Sequence, residues 1–313
     1  MEKTSAKILG ISAHYHDSAA ALLIDGKIIA AVQEERFTRI KHDPGFPIKS
    51  IEWCLQQVGL KISDLDAVVY YEKPLVKFER ILETYIYDAP FGFFNFVESF
   101  PSWIKQKLFL RQDLEKSLRA MDANFDIKKL LFSEHHLSHA ASAFYPSPFE
   151  EALVVTLDGV GEWATSSVAL GQSSNLKILK ETHFPHSLGF LYSALTVFCG
   201  FKVNSGEYKL MGLAPYGEPR FFEVMLKNLL TVHEDGSFAL NLKYFNFIRG
   251  QKMFHKSMEE LFGVPARAPE SPLEQVHMDL AASIQKVLEH LLLHLMRALH
   301  KEHPVANLCL AGG

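Results

Sequence analysis

The sequence predicts a mixed α/β protein in which strands and helices alternate along most of the chain. One observation is a strand–polar turn–strand unit at residues 7–33, which a similar unit at 152–171 repeats. The other is helical periodicity with one apolar face between and after these units. Together they predict a fold built from two related halves.

The first half opens with alternating apolar positions, which predict short strands. Asp25-Gly26 supplies a tight turn between the second and third of them. The predicted elements are strands at 7–13, 19–24, 27–33 and 65–71, a charged loop at 34–42 and an amphipathic helix at 47–60.

Residues 72–128 differ from the rest because they are rich in aromatic side chains and their helical pattern is broken by Pro and Gly. We interpret them as a helical insertion that forms a lid or a specificity element. A small satellite hydrophobic core explains the same aromatic residues, since such side chains are mostly buried. These residues are Phe91, Phe93, Phe94, Phe96, Phe100 and Trp103.

In the second half, strand and helix patterns resume and then stop at a strand that runs into Gly312-Gly313. Such a turn normally leads into a helix, so we expect the sequence to be the front part of a longer protein. The predicted elements are strands at 129–133, 152–157, 166–170 and 308–311, helices from 135, at 189–198 and at 273–301, a polar loop with a short helix at 204–217, and an irregular region at 230–270.

Composition narrows the class of protein. With 313 residues, 48% of them hydrophobic, the chain can bury a large core. A net charge of −4 argues against binding to nucleic acid. Three separated cysteines predict buried thiols in a reducing compartment. Without an apolar signal segment or a run long enough to span a bilayer, we expect a cytoplasmic protein that does not bind membranes, with a homodimer as one expected assembly.

Two short segments carry most of the functional signal. His135 and His139 are four residues apart in a predicted helix, so they lie on one face of it. Asp158 follows an apolar strand, and two imidazoles with one carboxylate make a facial metal site. The ordinary explanations are a buried or surface histidine pair and a simple Asp-Gly turn. A zinc-protease helix is excluded because His136 stands where that motif needs Glu.

Gly159 and Gly161 follow Asp158 in the same turn. Glycines allow backbone N–H groups to approach a phosphate closely. The residues therefore predict metal-assisted chemistry on a nucleotide or a phosphate ester.

These motifs jointly resemble the O-carbamoyltransferase family of nodulation protein U and the cephamycin and tobramycin carbamoyltransferases. The resemblance extends along almost the whole chain. The matching stretches are Ile8–Ser12, His16–Ala20, Gln33–Lys41, His135–Tyr145, Asp158–Glu162, His186–Gly189, Gly206–Gly217 and Leu308–Gly313.

The resemblance implies an actin-like, sugar-kinase-like fold of duplicated ribonuclease-H-like halves, similar to the tRNA threonylcarbamoyladenosine enzyme, with the second half incomplete. It implies that residues 1–313 form the N-terminal transferase domain and that the C-terminal carbamoyladenylate-forming domain is absent from this chain. The implied reaction converts ATP and carbamoyl phosphate to carbamoyladenylate, and passes the carbamoyl group to a hydroxyl of a small-molecule or sugar-containing acceptor.

The resemblance also implies roles for particular residues. His135, His139 and Asp158 would hold a divalent ion, Fe²⁺ being expected, and Gly312 and Gly313 would begin an adenosine-binding motif. Because the acceptor hydroxyl needs a general base, His16 is the candidate, with Asp17 orienting either His16 or the acceptor; a local turn cap is the alternative. Glu207 and Lys209 would contact the ribose and phosphates, unless they are only an exposed helix start.

Two rival functions remain. One is a tRNA threonylcarbamoyl transferase, which the 72–128 insertion and the acidic charge balance disfavour. The other is a non-catalytic nucleotide-binding module, which is inactive alone.

Overall fold

The first half of the chain forms a mixed β-sheet. The computed structural model of the protein describes residues 5–87, 108–248 and 253–313. Within these residues the sheet has the strand order β3-β2-β1-β4-β5. The strands β1 to β3 are antiparallel neighbours, whereas β4 and β5 run parallel to β1. The bounds are β1 Lys7–Ser12, β2 Ala19–Ile24, β3 Lys27–Gln33, β4 Ala67–Tyr70 and β5 Leu130–Phe132.

Apolar faces of two helices cover this sheet. The second helix, α2, buries Ile51, Cys54 and Leu55, and the fourth, α4, buries a leucine at each of positions 110, 114 and 118. That spacing of four keeps the leucines on one helix face. The helices are α1 Glu35–Thr38, α2 Ile48–Gln56, α3 Pro74–Tyr87 and α4 Leu110–Met121, with 3₁₀ turns at Ile62–Asp64 and Ile127–Lys129.

A second sheet repeats the strand order of the first. Its order is β8-β7-β6-β11, with β6 to β8 antiparallel and β11 parallel to β6. Three meander strands and one parallel strand therefore stand in the same relation as β3, β2, β1 and β4. The bounds are β6 Glu151–Leu157, β7 Ala164–Gln172, β8 Asn175–His183 and β11 Leu308–Ala311.

Helices around this second sheet supply the largest apolar cluster among the described residues. Its centre joins α6 to the long helix α10, for example through Leu195, Phe198 and Ile284, each fully buried. The helices are α5 His135–Phe144, α6 Leu188–Phe198, α7 Glu207–Leu213, α8 Phe222–Asn228, α9 Lys256–Phe262 and α10 Gln275–Glu302. The short hairpin is β9 Leu230–Val232 and β10 Phe238–Leu240, and 3₁₀ turns lie at Ala214–Tyr216 and Leu242–Tyr244.

The chain divides into two compact units, and the division falls inside α5. The first contains the described residues up to Ile81 and those from Leu108 to Ser138. The second contains Leu82–Tyr87 and the described residues from His139 onward.

The predicted helical insertion at 72–128 meets the structure only in part. The described ends of the predicted 72–128 insertion are the helices α3 and α4, but its aromatic residues at positions 91–103 lie outside the described residues. The three cysteines are buried and free, as predicted. In the described part of the chain, none of the helices is both long and apolar enough to cross a membrane.

Candidate metal centre

The helix α5 carries both histidines of the candidate site, and contacts hold it at each end. At its start, the hydroxyl of Ser138 donates to the carbonyl of Tyr71 over 3.0 Å, next to the end of β4. At its end, Ala140 and Phe144 pack on the second sheet. Gly171 makes room for this, because a side-chain carbon there would lie 2.6 Å from the Phe144 ring. The helix is therefore held on both sides of His139.

The turn after β6 positions Asp158. The backbone N–H of Asp158 donates to the carbonyl of Thr165, which closes the β6–β7 connection. The hydroxyl of Ser187 donates to the carbonyl of Gly159 over 2.7 Å. Gly189 comes so close that an added Cβ would lie 2.6 Å from the Asp158 carbonyl oxygen. The beginning of α6 therefore supports the turn from behind.

His135, His139 and Asp158 come together as the sequence predicted. One nitrogen or oxygen from each lies within 4.8 Å of the others, and Nε2 of His139 is 3.6 Å from Oδ2 of Asp158. Neighbouring ligands of a transition metal bound at about 2.1 Å are roughly 3 Å apart, so small side-chain movements suffice. Two imidazoles and one carboxylate are a donor set that can hold a divalent transition metal. His136 is buried on another side of the helix and is not in this group.

The glycine pair at the end of β11 lies beside the same carboxylate. Because β11 runs parallel to β6, the carboxyl ends of the two strands meet at one edge of the sheet. Gly312 has φ of 112°, and a Cβ there would lie 1.7 Å from the carbonyl oxygen of Leu157. A Cβ on Gly313 would lie 3.8 Å from Oδ1 of Asp158. Only glycine permits this approach of the Gly312 backbone to β6.

The N–H groups of Gly159 and Gly161 have acceptors inside the turn. Gly159 donates to Oδ1 of its neighbour Asp158 over 2.7 Å, and Gly161 donates to the carbonyl of Ala164 over 2.9 Å. The space beside Gly159 is occupied by the ring of Phe190, which would lie 3.1 Å from a Cβ added to this glycine. A phosphate would have to replace these acceptors, so the role predicted for both glycines stays a prediction.

Glu207 stabilises the loop in front of its own helix. Its carboxylate accepts from the hydroxyl of Ser193 over 2.7 Å and from the N–H groups of Asn204 and Gly206 over 3.2 Å each. These contacts match the alternative explanation, in which Glu207 only marks the start of a helix. Lys209 is exposed on α7. The nucleotide contacts predicted for Glu207 and Lys209 stay predictions.

His16 and Asp17 form a cluster with a residue that sequence reasoning missed. Oδ2 of Asp17 lies 2.8 Å from Nδ1 of His16, and Oδ1 lies 3.0 Å from Nδ1 of His42. All three side chains are between one-third and one-half exposed. His42 approaches because its loop is bonded to the first turn, where the N–H of His14 donates to the carbonyl of Pro44. The sequence holds no local signal for this pairing across 25 positions.

The two histidines set the ionisation of Asp17. Burial raises its pKa, but hydrogen bonds from His42 and His16 and their charges outweigh that effect. The pKa of Asp17 is therefore below its usual value. The carboxylate stays ionised and can keep both imidazoles oriented.

Comparison with known proteins identifies the family of this chain. The family model described as Carbamoyltransferase N-terminus matches residues 7–313. An uncharacterized protein of Synechocystis sp. is 56% identical over 98% of this chain and 50% of its own length. The nodulation protein NolNO of Sinorhizobium fredii is 34% identical over 95% of this chain and 40% of its own length.

The chain thus spans half or less of the length of these two relatives. Among solved structures, component A of the (R)-2-hydroxyglutaryl-CoA dehydratase of Acidaminococcus fermentans is 12% identical. That likeness covers 98% of this chain and 83% of the other, with a TM-score of 0.42. Because the family model matches residues 7–313, the chain belongs to the carbamoyltransferase N-terminus family.

Proposed function

We propose that this chain is the transferase part of an O-carbamoyltransferase. The observation that carries the proposal is the group of His135, His139 and Asp158 beside the Gly312-Gly313 turn, in a chain of the carbamoyltransferase family. The donor would be carbamoyladenylate, made from carbamoyl phosphate and ATP. The acceptor would be a hydroxyl of a small molecule or of a sugar-containing molecule.

The proposal includes a duplicated actin-like fold. Its support is the strand order, since β8-β7-β6-β11 repeats β3-β2-β1-β4 with the same parallel and antiparallel pairs. In this proposal the turn after the first strand of each half carries functional residues, His16-Asp17 in one half and Asp158-Gly159 in the other.

The proposed chemistry uses groups from both turns. A divalent ion, Fe²⁺ in this proposal, would supply Lewis-acid polarisation of the carbamoyl carbonyl, a poor electrophile on its own. Asp17 accepts from Nδ1–H of His16, which leaves Nε2 as the base that takes the proton of the acceptor hydroxyl. The hydroxyl oxygen then forms a bond to the carbamoyl carbon, and the bond from that carbon to the adenylate oxygen breaks.

Binding of the adenylate would use the glycine turns and α7. Gly312 and Gly313 bring backbone close to Asp158, where a nucleotide phosphate could lie near the ion. Gly159 and Gly161 would offer N–H groups, while Glu207 and Lys209 would reach the ribose and phosphates. We further propose that the enzyme is cytoplasmic, that it forms a homodimer, and that it acts on neither nucleic acids nor membranes.

The test supplies the purified chain with Fe²⁺, synthetic carbamoyladenylate and a panel of aminoglycoside, cephem and oligosaccharide acceptors. Carbamoyl transfer is measured by mass spectrometry of the acceptor. We expect transfer to at least one acceptor, and its loss in His139→Ala together with loss of bound iron, because an open site rarely tolerates losing one of three ligands. The matched control is His183→Ala, which removes an exposed histidine and should change neither quantity.

Two results would favour other functions. Threonylcarbamoylation of tRNA by the chain would replace this proposal with the tRNA-modifying one. Tight binding of adenylate without turnover, also when the chain is extended to the full length of its relatives, would identify a non-catalytic nucleotide-binding module.

A further inference from the structure

We infer that Glu72 is a positioning residue that orients His135 for metal binding, and that Lys77 holds Glu72 in place. The inference rests on the metal site of the proposed function but not on the transfer reaction. It is carried by a buried carboxylate that lies beside a predicted metal ligand and has no place in the proposed chemistry.

The sheet brings these residues together. Glu72 follows β4 and His135 follows β5, and these parallel strands are neighbours. Their carboxyl ends therefore meet at one edge of the sheet. The N–H of Ser133 donates to the carbonyl of Tyr70 over 2.9 Å, which ties the end of β5 to the end of β4. The position of Glu72 near His135 thus follows from strand pairing.

The carboxylate of Glu72 faces both a cation and the histidine. Its side chain is 1% exposed, and its Oε2 lies 2.6 Å from Nζ of Lys77. The same Oε2 lies 3.9 Å from Nδ1 of His135. An ionised carboxylate at this depth needs partners, because desolvation penalises its charge. Lys77, itself 14% exposed, supplies one of them.

The geometry matches the usual arrangement around a metal-bound histidine. Such a histidine binds the ion through one ring nitrogen and donates the other N–H to a carboxylate or carbonyl, which sets the tautomer and raises the basicity of the ligand. With Nδ1 facing Glu72, Nε2 is the nitrogen we assign to the metal. The distance of 3.9 Å is about 1 Å longer than a hydrogen bond, and a rotation of the imidazole shortens it.

A nearby ion pair shows that Glu72 differs from an ordinary salt bridge. Nζ of Lys73 lies 2.7 Å from Oε1 of Glu134, which directly precedes His135. Their side chains are 40% and 54% exposed, however, so water satisfies them in any case. This exposed pair is the matched control for the buried pair.

The experiment titrates the full chain with Co²⁺ and follows the visible absorption of the bound ion, which reports on the ligands directly. We expect Glu72→Gln to weaken Co²⁺ binding by about 10- to 100-fold and to shift the bands at saturation. Glu134→Gln should bind Co²⁺ as the wild type does. The thermal midpoint of the metal-free proteins is measured alongside, since a purely structural role would change that midpoint and not the bands.

The double variant with Glu72→Gln and Lys77→Met removes both buried charges. It takes the place of the single variant in the Co²⁺ titration if the single variant fails to fold. It should show the same loss of affinity. Unchanged Co²⁺ affinity and bands in the folded variant would overturn the inference, as would an equal loss in Glu134→Gln or no binding by the wild type. Failure of carbamoyl transfer with these results intact would count against the proposed function only.

Discussion

Asp17 shows how one carboxylate organises two histidines that the chain places far apart. It lies at hydrogen-bond distance from His16 and from His42, and its own φ of 53° is in the left-handed region. Non-glycine residues adopt this conformation rarely and at a cost, so other contacts must hold it. The loop that contains His42 provides them, for example through the N–H of Ser18 donating to the carbonyl of Asp43.

We predict that His42 affects the pKa of the Asp17 carboxyl group. In His42→Ala the Asp17 carboxylate loses a hydrogen bond and a nearby charge, so its pKa should rise toward the ordinary value of 3.8. An NMR titration of the Asp17 side-chain carboxyl carbon measures this directly. His183→Ala, which removes an exposed histidine elsewhere, should leave the titration unchanged. An unmoved Asp17 pKa in His42→Ala would show that the two residues do not interact in solution.

Among the elements, the turn after β6 depends on backbone contacts that only glycine allows. Gly189 at the start of α6 and Gly312 at the end of β11 both lie against it. In contrast, Gly212 in α7 is exposed, and a Cβ there would meet nothing within 4 Å. The three glycines look alike in the sequence, but two of them build the turn and one does not.

We therefore predict opposite effects for two glycine substitutions. Gly189→Ala places a methyl group against the Asp158 backbone, which should lower the free energy of unfolding by about 1–3 kcal/mol. It should also weaken metal binding, because the turn must move. Gly212→Ala should raise the free energy of unfolding by up to about 1 kcal/mol, since alanine favours a helix. Urea denaturation of both variants tests this; equal effects would mean that the close approach at Gly189 is absent.

For the whole molecule, the buried His277 and the partly buried His186 link the free energy of unfolding to pH. Nδ1 of His277 accepts the N–H of Glu274, and Nδ1 of His186 accepts the N–H of Leu240, both over 3.0 Å. Burial lowers the pKa of each. Protonation in the folded state would also remove the acceptor nitrogen. Both histidines therefore favour folding only while they are neutral.

The direction of this pH dependence follows from the unfolded chain, where histidine has its ordinary pKa near 6.5. Below that pH the unfolded chain binds protons that the folded protein does not, so the free energy of unfolding should fall as pH falls from about 6.5 to the lowered folded-state values. Asp17 adds a loss in the same direction, but only below 3.8. Chemical denaturation at several pH values from about 7 to about 5 should show this fall in the free energy of unfolding. His277→Asn should reduce it and His183→Asn should not; a flat profile in the wild type would refute the prediction.

Prediction from sequence succeeded where structure is local. The strands β2 and β3 have the predicted bounds, because alternation marks them and Asp25-Gly26 has the positive φ angles of a hairpin turn. It failed for β8, an edge strand whose exposed lysines hide the alternation, and for α1, where a charged loop was expected. The helix α2 ends at Gln56 rather than residue 60.

What the sequence by itself determined is the mixed α/β class, the family and the three residues of the candidate metal site. Helical spacing puts His135 and His139 on one face, and the strand pattern puts Asp158 at a strand end. Only the tertiary structure decided the neighbours of these residues. Strand pairing brings Gly312 to Asp158 and Glu72 to His135, and loop docking brings His42 to Asp17. Periodicity reports contacts a few residues apart, whereas these contacts depend on how distant segments pair and pack.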